Sequence, residues 1–150
     1  MLVFRKMTEE DVPYIAALEK QTFSDGWTEK SVYETFCQQQ AFITVAEENR
    51  EVAGYCIIYY VMDEGEIARI AVDERWRRRG VGRNLLDYTC ECCKEKGVGR
   101  LLLDVRESNQ SARAFYEKYG FAVDGIRKNF YDIPKEHAVL MSKIIDNLSH

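Results

Sequence analysis

Long apolar runs are missing from this 150-residue chain, and so is histidine in any quantity. No run approaches the ~20 apolar residues that cross a bilayer as a helix, and the opening MLVFRKMTEED has no extended apolar region of the secretory type. No membrane association is expected, and the chain reads as cytoplasmic. His137 and His150 are the only histidines and share no ligand spacing, so no metal is expected. Cysteine is present in an odd number, five, which excludes a closed disulfide framework and fits a reducing compartment. Cys90 and Cys93 form a C-x-x-C, but in mid-helix and without a second ligand pair, so they read as small hydrophobes that pack. A basic excess is also lacking: the net charge of −4 argues against a protein that coats nucleic acid, and no direct nucleic-acid contact is expected. Repeats, low-complexity segments and interdomain linkers are not found. One domain over 1–150 is the simplest reading, large enough to bury roughly 68–70% of its unfolded surface.

Against that acidic background one stretch stands out, RIAVDERWRRRGVGRNLL from Arg69. Ile70–Val72 reads as a short strand, and Arg75, Arg77, Arg78, Arg79 and Arg83 follow it. Gly80 and Gly82 lie inside this turn, and an amphipathic helix begins directly after them. Glycines let a backbone approach closely, successive N–H groups point outward, and a helix N-terminus favours negative charge. The combination predicts a cradle for a phosphorylated ligand. It is not a Walker loop, because the Gly-Lys-Ser/Thr ending is missing, and it lacks the third glycine and the later acid of the dinucleotide fingerprint.

The remaining pattern alternates strands and helices. Residues 2–5 read as a strand. Thr8 or Asp11 caps a helix that tolerates Pro13 if regular turns begin near Val12, with Ile15 and Leu18 facing inward. After a break at Ser24-Asp25-Gly26, Thr28 restarts a helix, and Trp27 and Val32 have the spacing of a hydrophobic staple. Phe42–Ala46, Val52–Met62 and Gly65–Val72 are β-branched and aromatic runs joined by tight turns at Glu48-Asn49-Arg50 and Asp63-Glu64-Gly65. A helix from Val81 to Lys96 ends at Gly97 and buries Leu85, Leu86, Thr89, Cys92 and Cys93. Leu101–Val105 is a continuous apolar strand. Ser108-Asn109 caps a helix carrying Ala112, Phe115 and Tyr116, which stops at Gly120. Phe121–Val123 and His137–Ile145 are expected as closing strands around a loop at Arg127–Lys135. The order predicts an α/β domain on a mixed, mostly antiparallel sheet, with helices on both faces and one parallel pair joined by the crossover after the glycine turn.

The R-x-x-G-x-G at 77–82, between strand and helix, resembles the acetyl-CoA signature of the GNAT acyltransferases. The likeness extends upstream through Ile70-Ala71-Val72-Asp73 and downstream through LLLDVRESNQSARAFYEKYGF at 101–121. Within that superfamily, Phe23 with Trp27-Thr28, the DVRESN and FYEKYGF segments and Arg127-Lys128-Asn129-Phe130-Tyr131 are most similar to the ribosomal-protein-alanine N-acetyltransferase (RimI-type) branch. The resemblance implies the single-domain GNAT fold and direct transfer of acetyl from acetyl-CoA to an amine in a ternary complex. It implies a donor site formed by Ile70, Ala71, Val72, Arg77, Arg78, Arg79, Gly80, Val81, Gly82, Arg83, Asn109 and Tyr116. Strand 67–72 would pair with the pantetheine arm like an added strand, and an N–H such as that of Ile70 would meet the developing oxyanion. Tyr116 matches the branch's tyrosine acid. Asp104 stands where the branch carries a glutamate base; because aspartate is one methylene shorter, Glu66 and Glu107 stay open as substitutes.

For the acceptor, the resemblance implies the N-terminal alanine of a small-subunit ribosomal protein. Trp27, Glu66 and Tyr131 are the expected substrate-binding residues, although Trp27 is also a staple and Glu66, with Asp63 and Glu64, also a hairpin charge. Gly26 departs from the proline common before this tryptophan. A small amine, such as a polyamine, amino acid or aminoglycoside, is the alternative acceptor, and a non-catalytic CoA-binding sensor the alternative of another class. A monomer or homodimer is expected.

Overall fold

In a computed structural model, which describes residues 1–145, seven strands make one mixed sheet. They are β1 (Val3–Lys6), β2 (Ala41–Glu48), β3 (Glu51–Val61), β4 (Glu64–Val72), β5 (Arg100–Arg106), β6 (Ala122–Asp132) and β7 (Lys135–Ile144). The helices are α1 (Val12–Thr22), α2 (Glu29–Phe36), α3 (Val81–Glu95) and α4 (Gln110–Tyr119). Spatial order is β1-β2-β3-β4-β5-β7-β6, and every neighbouring pair is antiparallel except β4 with β5. This is the expected α/β architecture, with α3 as the crossover between the parallel neighbours.

Each face of the sheet carries its own core. Ile15 and Leu18 of α1 and Val32 of α2 meet Ile43, Val45, Tyr55 and Ile57 on one side. Leu85, Leu86, Cys92 and Cys93 of α3 meet Cys56, Ile58, Leu101 and Leu103 on the other, where Tyr116 of α4 joins them. All five cysteines are free thiols, and burial pushes the Cys93 thiol up to about 12, the state of a packing residue and not of a nucleophile. The local signals act as expected at α2, where the Thr28 side chain accepts the Ser31 N–H at 3.1 Å, and at α3, which ends before Gly97 in the left-handed region.

Two expectations change. The β3–β4 turn lies earlier than Asp63–Gly65, at Met62-Asp63, and Met62 itself adopts φ 55°. The stretch Arg127–Lys135 is not a loop: β6 continues to Asp132 and β7 begins at Lys135. Its period is hidden because β6 slips register twice against β7, between Val123 and Gly125 and between Arg127 and Tyr131, and because nearly all its side chains are exposed. A strand without a buried face and with two bulges has no alternation to read.

One irregularity opens the sheet beside β4. β4 and β5 pair only from Glu64–Glu66 against Arg100–Leu102, and then part. A bulge at Ala68, between the pairs Ile58–Ile67 and Ile57–Arg69, re-aims β4 at the point of divergence. Ile67–Val72 therefore pair with β3 on one edge and present the other to a cleft.

Candidate active site

The cleft's floor is the end of β4, and its far wall is the turn that follows. Asp73 accepts the Arg75 N–H at 3.0 Å and starts that turn. Arg75 then folds back on Asp73 and Glu51 and lies 4.5 Å over the Trp76 ring, while the Arg77 Nε donates to the Val72 carbonyl at 3.0 Å. These two arginines shape the turn. Arg78 enters the left-handed region at φ 65°, and Gly80, at φ 74°, is the N-cap of α3. The first helical amide to find a partner is that of Asn84, which donates to the Gly80 carbonyl at 3.0 Å. The N–H groups of Val81, Gly82 and Arg83 precede it without an intrahelical partner, and they form the positive pole of the helix.

A cavity of about 620 Å³ opens over these groups. Ile70, Ala71, Val72, Arg77, Arg78, Gly80, Val81, Gly82, Arg83, Asn109 and Tyr116 line it, which brings together every expected donor-site residue except Arg79. Arg79 lies outside it, near Glu48, whose carboxyl is held below its ordinary range first by the Trp76 indole N–H, then by the Met1 ammonium, and more weakly by Arg79 itself. Asn109 does two things at once: it lines the cavity, and its Oδ1 caps α4 by accepting the Ala112 N–H at 3.2 Å. Thr22 and Phe23 from the end of α1, Trp76, and Phe115, Lys118 and Tyr119 of α4 are among the other lining residues. The residues fit a long anionic thioester: unpaired amides and arginines at one end, an apolar middle, and an open strand edge along its length.

Tyr116 is 8% exposed, packed edge-on between Phe115 at 5.3 Å and Phe121 at 5.5 Å. Burial, with smaller contributions from the nearby Cys56 and Tyr131, raises its phenol far above the ordinary value. It is therefore neutral, with a proton to give, at any working pH.

Asp104 projects from the opposite side of β5, where α1 and α2, packed over β2–β4, do not reach. It shares a hollow of about 590 Å³ with Glu66, Tyr59, Arg100 and Arg127. Burial first, and the Asp104 charge second, raise the Glu66 carboxyl. Glu107 does not line this hollow. Tyr131 lines neither cavity, but stands between the two faces. Its phenol is raised by burial and then by Asp104, and it in turn acts on Tyr116. Its ring is clamped under the Arg106 guanidinium at 4.2 Å, and Arg106 also holds the Pro134 carbonyl at 2.9 Å. Trp27 borders a separate hollow at the α1–α2 loop and meets the acidic one through Tyr59, ring centroids 6.4 Å apart. Among the described residues, no group of three or more His, Cys, Asp or Glu could hold a metal ion.

The Acetyltransferase (GNAT) family matches residues 12–121. The chain belongs to the GNAT family. A Bacillus subtilis chain that carries the name ribosomal protein bS18-alanine N-acetyltransferase provisionally is 38% identical over 138 residues, 91% of each chain. The Escherichia coli ribosomal protein bS18-alanine N-acetyltransferase is 34% identical over 137 residues, 88% of this chain and 90% of that one. The crystal structure of the ribosomal-protein-S18-alanine N-acetyltransferase from Escherichia coli superimposes with a TM-score of 0.87 over 98% of this chain and 96% of that one, at 30% identity. The GNAT chain described here is thus an acetyl-CoA-dependent N-acetyltransferase. The split between β4 and β5 lies between two hollows, the cavity over residues 81–83 on one side and the acidic one on the other.

Sequence reasoning missed one group here. Glu19, Tyr55 and Arg69 form a buried polar cluster beside the split. A glutamate and an arginine among apolar neighbours were its only signal, and ordinary surface charges give the same one.

Proposed function

We propose that this enzyme acetylates the N-terminal α-amine of a ribosomal protein, with alanine as the first residue. The observation that carries the reading is end-to-end similarity to two chains of that name, joined to an open, acidic acceptor side. An α-amine, with pKa about 7.7–8.0, is substantially neutral at physiological pH, whereas a lysine at about 10.4 is not. The Glu66–Asp104 pair attracts the ammonium form, and Asp104 takes a proton as the neutral nitrogen attacks the thioester carbon. The Ile70 N–H stands on the free edge of β4 and receives the developing oxyanion. As the carbon–sulfur bond breaks, Tyr116 gives its proton to the departing thiolate. Arg78, Arg83 and the amides of residues 81–83 hold the pyrophosphate end of the donor, with Arg79 contributing only long-range charge.

The test is a panel of acceptors read by mass spectrometry: peptides beginning with alanine, N-blocked lysine peptides, and small amines including a polyamine and an aminoglycoside. Acetyl transfer confined to the alanine α-amine is expected. Preference for a small amine would overturn the acceptor, and no turnover with any amine would overturn catalysis.

Asp104→Asn is expected to lower kcat/KM about 10²-fold at pH 7, within the range for a general base. It should also distort the acid-side limb of the pH profile, because Glu66 loses its charged neighbour and its own raised carboxyl falls back toward the ordinary range. A rate kept near wild type, with the acid-side limb merely displaced to lower pH, would move the base assignment to Glu66.

A further inference from the structure

The Glu19 carboxylate has no exposed surface, and such a charge is costly to bury unless every oxygen is occupied. Its Oε1 accepts the backbone N–H of Trp27 at 2.9 Å and the Nε of Arg69 at 3.3 Å, and its Oε2 accepts the hydroxyl of Tyr55. Arg69 continues outward. Its Nη2 donates to the carbonyl and to the carboxylate of Asp25, each at 3.1 Å, and its guanidinium covers the Phe23 ring at 4.1 Å. The loop between α1 and α2 is thus attached at Phe23, Asp25 and Trp27. Gly26 presses so closely on α1 that a Cβ there would lie 2.7 Å from the Glu19 carbonyl oxygen. A buried ion pair is by itself weak evidence of a stabilising role, since apolar side chains of similar volume often serve as well. What distinguishes it is place: Arg69 sits on the β4 bulge, one residue before Ile70, which lines the donor cavity.

We infer that Arg69 is a positioning residue that ties the acceptor wall at Trp27 to the donor edge of β4 through Glu19 and Asp25. This rests on the reading of the α1–α2 loop as the acceptor's wall. A planar fork that bonds two carboxylates and stacks on an aromatic ring fixes a loop more tightly than a lysine could. Because the same side chain belongs to the strand that faces the thioester, wall and donor edge keep one spacing.

The experiment uses the full chain labelled with 5-fluorotryptophan, whose two ¹⁹F resonances, Trp27 and Trp76, are assigned with Trp27→Phe. In Arg69→Met the Trp27 resonance should shift and broaden while that of Trp76 stays. The acceptor KM should rise about tenfold, with kcat within about threefold and the acetyl-CoA Kd within about twofold, the pattern of a misplaced wall. Arg69→Lys should fall between the two. Asp25, at 79% side-chain exposure, gives a variant safe for folding, Asp25→Ala, with the same pattern at about threefold in acceptor KM. An unmoved Trp27 resonance, an unchanged acceptor KM, or a parallel loss of acetyl-CoA affinity would each overturn the inference. Wild type that ignores alanine peptides but acetylates another amine would overturn only the acceptor's identity, and the Arg69 variants are then read with that amine.

Discussion

Tyr116→Phe is expected to lower kcat by about 10²- to 10³-fold while leaving acetyl-CoA affinity within about twofold, the signature of a proton donor used only as the thioester breaks. Folding should survive the change. The ring's edge-on contacts with Phe115 and Phe121 remain, and no protein group among the described residues hydrogen-bonds the hydroxyl, so its removal orphans no partner. The objection is that burial makes this phenol a weaker acid than usual. The same burial penalises the anion it must protonate. A thiolate that leaves beside the phenol loses hydration in the same way and is a correspondingly stronger base, so the two pKa values rise together and the transfer is not lost. Two measurements check this. Turnover in Tyr116→Phe should recover when the donor carries a more acidic thiol, which needs less protonation to leave. In the wild type, the alkaline side of the profile should show no loss from ionisation of the phenol near its ordinary value of about 10. Unaltered turnover in the variant would remove Tyr116 from the mechanism.

How far the sequence reaches is clearest at the split. Gly80 and Gly82, the strand before them and the helix after them are local features, and local features dictate the cradle: a left-handed cap, three amides without partners, a turn rich in arginine. The bulge at Ala68 is not local in this sense. It goes with a β4 that pairs with β3 along its whole length but with β5 over only three residues, a condition set by residues as far apart in sequence as Glu64 and Arg100. The arginines divide by the same rule. Arg75 and Arg77 are consumed by Asp73, Glu51 and the Val72 carbonyl, and Arg79 by proximity to Glu48, whereas composition alone counts them equally. The start of β6 was read at Phe121–Val123, but its continuation through Arg127–Asp132 was hidden for want of a buried face. The Glu19–Arg69 cluster was hidden because a charge reveals its burial only through partners that the fold supplies.

Gly82→Leu should weaken acetyl-CoA binding about 10²- to 10³-fold, and the size follows from what the leucine would cover. A Cβ at Gly82 is itself acceptable, 3.4 Å from Phe115 and 3.7 Å from Val72, both ordinary contacts, so Gly82→Ala should bind nearly as well as wild type. The remaining methine and two methyls enter the cavity that Gly82 lines, over the amides of residues 81–83. Hydrogen bonds to a charged group contribute about 1.5–3 kcal/mol each. Losing two at the lower end of that range means about 3–4 kcal/mol, or two to three decades of affinity. Gly80→Ala is a poorer test, because φ 74° strains any side chain there and confounds binding with folding. Calorimetric titration with acetyl-CoA, beside a melting curve, separates the outcomes: full affinity in a folded Gly82→Leu would show that the amides do not hold the donor. The arginines make a different, complementary prediction. Arg78→Ala and Arg83→Ala should cost less, and their cost should shrink with added salt, because exposed charges are screened within about 8–10 Å, whereas the leucine's obstruction does not depend on ionic strength.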